Sequence, residues 1–97
     1  MDEHLQNPVH IEINGVIDLH HFSPKDLKYL IPDYLAECAK KNIQEVKIIH
    51  GKGKGVLRRT VHSILHKNPD VLSYRLAPEQ GGSWGATIVQ LRQAPSR

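Results

Sequence analysis

The sequence predicts an α/β fold. It is expected to be a two-layer sandwich of order βαβαββ, with a mixed, mostly parallel four-stranded sheet and two helices on one face. Three observations predict it. Short apolar segments alternate with segments of helical period. Strand–helix–strand successions need crossovers, which favour parallel neighbours and right-handed connections. Each helical segment carries a single apolar stripe, so both can cover one face of a small sheet. At 97 residues, with 39% hydrophobic and 24% charged positions, the chain has the size of one domain with a thin core.

Residues 1–14 are an N-terminal segment, polar as far as Pro8, in which Val9 to Ile13 alternates like a short extra strand. Asn14-Gly15 makes a turn. A two-residue hairpin there would set Ile11 opposite Asp18 and Glu12 opposite Ile17, so the apolar faces would disagree. A bulge or a looser connection is expected. Residues 15–91 then form the domain proper, beginning with a strand from Val16 to Leu19.

Ser23 caps the first helix, Pro24 suits its first position and Asp26 its first turn. Leu27, Leu30, Ile31, Tyr34, Leu35 and Cys38 share one face. Pro32 removes the bond to the Lys28 carbonyl and is expected to kink or split the helix. Lys40 and Lys41 suit its C-terminal end. Glu45 to Ile49 is a strand. Leu57, Val61, Ile64 and Leu65 mark a second helix that stops before Asn68-Pro69. Val71 to Leu76 is expected as a third, central strand. Ala77 to Gly85 is a loop, and Ala86 to Leu91 is the last strand, which the short connection allows to be antiparallel. Residues 92–97 are a tail.

No run approaches the ~20 apolar residues of a membrane span, and no apolar signal region opens the chain. The single cysteine, Cys38, excludes an internal disulfide and fits a reducing, cytoplasmic setting. A membrane partner is not expected.

The chemistry gathers at His50-Gly51-Lys52-Gly53-Lys54-Gly55. Three glycines turn the backbone tightly and leave N–H groups uncovered. The run opens into a helix N-terminus, where unpaired N–H groups and the helix dipole favour an anion. Lys52, Lys54, Arg58 and Arg59 lie within eight residues that contain no acid, although the net charge is only +3. Such crowding at the positive end of a dipole costs up to ~1 kcal/mol per cation, which an anionic partner would offset. A triphosphate loop is excluded, because no Lys-Ser/Thr pair follows the last glycine. The dinucleotide fingerprint fails on glycine spacing.

Ligands of such a sheet collect at the carboxyl ends of its parallel strands. Asp18 and His20 arrive there two apart, hence on one face. A carboxylate beside an imidazole can orient the ring and favour its protonated form. From spacing alone, a turn carboxylate and a satisfied strand-end histidine explain the pair more simply than catalysis does. Trp84 suits stacking on a base or ribose and suits covering one end of the core equally. His20, His21 and His50 show no closed metal-ligand spacing.

Three blocks together resemble the small MutS-related, or Smr, domain. Ile17-Asp18-Leu19-His20 resembles the family's Leu-Asp-Leu-His/Arg-Gly motif. His50 to Arg58 resembles its His/Thr-Gly-x-Gly-x-Gly-x-Leu-Arg motif. Gly82-Ser83-Trp84-Gly85-Ala86-Thr87 resembles its glycine-rich block. The match runs from Gly15 to Leu91, and the chain looks like a stand-alone member. The resemblance implies a sandwich like the C-terminal half of a bacterial translation initiation factor. It also implies binding of DNA or RNA through the backbone and, in some members, endonuclease activity. Its catalytic pair falls on Asp18 and His20, with His50 as a candidate assistant. Its substrate-holding loop falls on Gly51, Lys52, Gly53, Lys54, Gly55 and Arg58. His21 stands where the motif has glycine. No metal site and no cofactor are assigned; attack by water on DNA would be compatible with a divalent metal near Asp18. The alternative is a DNA- or RNA-binding adaptor without catalysis.

Overall fold

The computed structural model describes residues 11–53, 55–78 and 85–92. Six elements follow in the order β1 (Val16–Asp18), α1 (Pro24–Lys40), β2 (Glu45–Ile49), α2 (Val56–His66), β3 (Val71–Leu76) and β4 (Ala86–Leu91). The strands form one sheet in the order β1-β2-β4-β3. β1 and β2 are parallel, whereas β4 is antiparallel to both β2 and β3. Three strands thus run one way and β4 runs against them.

The expectation for β3 is corrected: it lies at an edge, and β4 sits between it and β2. The burial patterns explain why. Ala86 to Val89 and Leu91 are all buried, as a strand covered on both faces requires. In β3 only Val71 is buried, while Leu72, Ser73, Arg75 and Leu76 are exposed. An extra strand is not formed by residues 11–13, and Val9 and His10 lie outside the described residues. Ile11 and Ile13 pack against the core instead, half-buried.

Pro32 does not split α1, which runs unbroken from Pro24 to Lys40. Buried Leu27 and Ile31 precede it, and buried Tyr34, Leu35 and Cys38 follow it. Both halves are held to the same core, and that burial outweighs one missing bond. At the helix start, Ser23 donates to the Asp26 carboxylate from its N–H (3.2 Å) and its hydroxyl (2.9 Å).

The main core unites Ile17 and Leu19 with Val46, Ile48, Val71, Val89 and Leu91 from the sheet and the apolar stripes of both helices. Both helices therefore cover one sheet face. Tyr34 of α1 pins the start of β1: its hydroxyl accepts from the Gly15 N–H and donates to the Val16 carbonyl, each at 3.1 Å. The opposite face carries a smaller cluster of Ala77, Ala86 and Ile88. Among the described residues no helix is long and apolar enough to cross a membrane.

Candidate nucleic-acid interface

The ends of β1 and β2, the end of β3 and the start of β4 share one rim of the sheet, and the N-terminus of α2 opens from it. β1 leads directly into Leu19, whose N–H donates to the Ile49 carbonyl at 2.9 Å. Ile17 and Leu19 point into the core, so alternation turns Asp18 and His20 the other way. Their side chains are more than half exposed, at 56% and 64%.

The two form a closed unit. The His20 N–H donates to Asp18 Oδ1 at 2.9 Å, and His20 Nδ1 donates to the same oxygen at 2.6 Å. These bonds, led by the backbone N–H, hold the Asp18 carboxyl below the usual range, so it stays ionised. The ring is thereby fixed with Nε2 outward. That nitrogen stands 4.0 Å from the position a Cβ would take on Gly51. The acid–imidazole pair and the glycine run therefore meet at the rim.

The run itself is built by two glycines with positive φ, Gly51 (84°) and Gly55 (87°), a region that a side chain makes costly. Among the described residues other than its chain neighbours, none comes within 4 Å of where a Cβ would stand on Gly53. The start of β4 anchors the run: the Gly85 carbonyl accepts from the N–H groups of His50 (2.8 Å) and Gly51 (2.9 Å). Gly55 caps α2 without a side chain, and no acid sits in the first turn. Arg58 and Arg59 each bring a guanidinium nitrogen to 3.0 Å from the position a Cβ would take on Gly55. A pocket of about 160 Å³ lies here, lined by His50, Gly51, Gly53, Gly55 and Arg58 among others. Lys52 is exposed beside it. Lys54 and Trp84 lie outside the described residues.

His50 is placed differently from the pair. It continues the alternation of Val46 and Ile48, so its ring enters the helix-covered side of the sheet. Nδ1 lies 3.2 Å from the Gly51 carbonyl and Nε2 lies 2.8 Å from Thr87 Oγ1. The structure does not bring this ring to Asp18 and His20. Thr87, a residue the sequence offers only as the start of the last strand, is fully buried and also meets His62 Nε2 at 2.7 Å. Its signal was its parity: Thr87 alternates with the core residues Val89 and Leu91, which makes it a polar group on a buried face. His62 sits on α2 one turn beyond Arg58, and no local pattern singled it out.

His21 occupies the glycine position of the family motif without strain, because Asn42 is the one non-glycine with positive φ among the described residues. Among those residues no group of three or more His, Cys, Asp or Glu side chains is arranged to hold a metal ion.

The Smr domain model matches residues 17–92. The chain belongs to the Smr domain family. Its sequence is 36% identical to Endonuclease MutS2 of Halothermothrix orenii over 80 residues, which are 82% of this chain and 10% of that protein. It is 38% identical to Endonuclease MutS2 of Clostridium beijerinckii over the same number of residues and the same shares. The chain thus spans about a tenth of the length of these curated relatives. Among solved structures, the Smr domain of Thermus thermophilus MutS2 superposes with a TM-score of 0.77 at 28% identity, over 81% of this chain and 99% of that one. YdaL, a stand-alone small MutS-related protein from Escherichia coli, has the same fold, with a TM-score of 0.76 at 22% identity over 91% of this chain and 71% of that one. The Smr match and the mixed four-stranded sandwich agree with the fold expected from the sequence.

Proposed function

We propose that this Smr domain binds nucleic acid through its phosphate backbone and cleaves it as an endonuclease. One observation carries the reading: His20, oriented by Asp18, turns its outer ring nitrogen toward Gly51 of the glycine–lysine run. The run offers backbone N–H groups and a helix N-terminus to a phosphate. Lys52, Lys54, Arg58 and Arg59 supply positive charge for the negative charge that grows as the phosphodiester is attacked. The missing Cβ of Gly53 leaves space for a phosphate to approach the backbone. Trp84 is assigned to stacking on a base or ribose.

His20 Nε2 is the proton-transfer atom. On RNA it takes the proton of a 2′-hydroxyl. The 2′-oxygen attacks phosphorus, the bond to the 5′-oxygen breaks, and that oxygen leaves with a proton taken from water. A 2′,3′-cyclic phosphate and a 5′-hydroxyl result. On DNA, water replaces the 2′-hydroxyl as nucleophile, His20 takes its proton, one ester bond to phosphorus breaks, and a phosphate monoester and a hydroxyl end result, the leaving oxygen taking its proton from water. Asp18 keeps the imidazole in the tautomer that exposes Nε2 and stabilises the imidazolium once formed. The name Endonuclease MutS2 of the matched relatives supports cleavage.

The first turn of α2 carries Arg58 and Arg59 and no acid, a feature that serves binding of an anion whether or not it is cleaved, and this favours a second reading, a binding module without cleavage. Labelled single- and double-stranded DNA and RNA, incubated with and without chelator, separate the two. Cleavage of one substrate class supports the endonuclease. Salt-sensitive binding of intact substrate under every condition leaves the adaptor.

A further inference from the structure

Behind the glycine run lies a chain of three side chains from three elements, His50 and Thr87 buried and His62 half-buried. His62 comes from α2, Thr87 from β4 and His50 from the end of β2. Thr87 Oγ1 stands between the two rings, 2.7 Å from His62 Nε2 and 2.8 Å from His50 Nε2. The His62 ring packs on Tyr74 at 5.0 Å between centroids and edge-on to His50 at 6.2 Å.

The direction of every proton in this chain follows from its ends. The Gly51 carbonyl can only accept, so the 3.2 Å contact requires the proton on His50 Nδ1. A neutral His50 then has a bare Nε2, which must receive a proton from the Thr87 hydroxyl. Thr87 has one proton to give, so its oxygen accepts from His62 Nε2–H. The order is His62 to Thr87 to His50 to the Gly51 carbonyl. No ring nitrogen of His50 is left for substrate chemistry.

Gly51 is held on both sides as a result. Its N–H is bonded to the Gly85 carbonyl and its carbonyl to His50 Nδ1. A peptide plane gripped at its carbonyl cannot rotate, and Gly51 is the residue that faces His20 Nε2. Glycine has no side chain to hold its own conformation, so the restraint has to come from outside.

We infer that His62 and Thr87 are positioning residues that lock His50 in its Nδ1–H tautomer, so that His50 presets the glycine run in its phosphate-holding shape. The inference rests on the proposed binding role of that run, and two of its three readouts are independent of it. Imidazole nitrogen NMR of the wild type near neutral pH should place the His50 proton on Nδ1. Thr87→Val, close in shape but without the hydroxyl, should leave His50 free to exchange tautomers and should shift the Gly51 amide resonance. It should also weaken binding of a labelled RNA or DNA oligonucleotide by about 3- to 10-fold, the size of one hydrogen bond. Thr87→Ser should restore all three. His50 protonated on Nε2 in the wild type overturns the inference with no variant needed. So does a Thr87→Val protein with altered tautomer but unmoved Gly51 resonance and wild-type affinity. A wild type that binds neither oligonucleotide defeats the binding reading alone; the tautomer and the Gly51 resonance then decide this one.

Discussion

The three glycines of the run differ in what they do, and this makes them separable. Gly55 has φ 87° and two guanidinium nitrogens at 3.0 Å from its vacant Cβ position. Gly55→Ala is expected to cost about 1–2 kcal/mol of stability, measured by chemical denaturation. Gly53 has no positive φ, and no described residue beyond its chain neighbours lies within 4 Å of its Cβ position. Gly53→Ala should leave the denaturation midpoint within about 0.5 kcal/mol of wild type while weakening oligonucleotide binding. Equal loss of stability in both variants would mean that Gly53, too, is needed for the backbone turn. Asp18 and His20 could be named from sequence as strand-end neighbours, but their spacing left a plain structural reading in front. The catalytic proposal rests on the approach of His20 Nε2 to the Cβ position of Gly51, a relation between residues 31 apart in the chain that no local pattern encodes.

The limits of the helices and of the last three strands were readable from period, caps and turn residues. The position of β4 was not, because strand order depends on which faces are covered, and only the burial of Ala86 to Val89 records that. Thr87 and His62 escaped for the same reason: their meeting joins β4 to α2. Helix α2 begins with Arg58 and Arg59 and with no acid. Arg59→Glu is expected to raise stability by about 0.3–1 kcal/mol through the helix dipole, and to weaken nucleic-acid binding. A variant that gains affinity would contradict the placement of the anion. The pair His50 and His62 adds a pH dependence. Burial, foremost, pushes both below the usual histidine value of 6.5. Arg58 acts in the same direction on each, His50 adds to the effect on His62, and the Gly51 carbonyl opposes it at His50. The folded state thus binds fewer protons than the unfolded one below about pH 6.5, so stability held above that value falls as the pH drops toward the folded values. Urea midpoints should fall between about pH 7.5 and 5.5, and less steeply in His62→Phe. A flat profile would mean that the rings are solvated.

The molecule as a whole is a thin sandwich whose helix side is spent on its core, and the proposed function sits at one rim. Glycine turns, an acid–imidazole pair and a helix start with no acid in its first turn come from different stretches of chain and converge there. If the rim binds a nucleic-acid backbone as proposed, affinity should fall with salt at a log–log slope near −0.9 per neutralised phosphate on duplex DNA, and replacing Arg58 and Arg59 by alanine should flatten the slope by about one unit each. An unchanged slope would put the contact surface elsewhere. The central claim, that His20 transfers a proton at a phosphate held by the glycine–lysine run, is tested most directly by assaying cleavage and binding side by side for wild type and His20→Ala. Cleavage should disappear while affinity stays within about threefold. Cleavage at the wild-type rate by His20→Ala contradicts it.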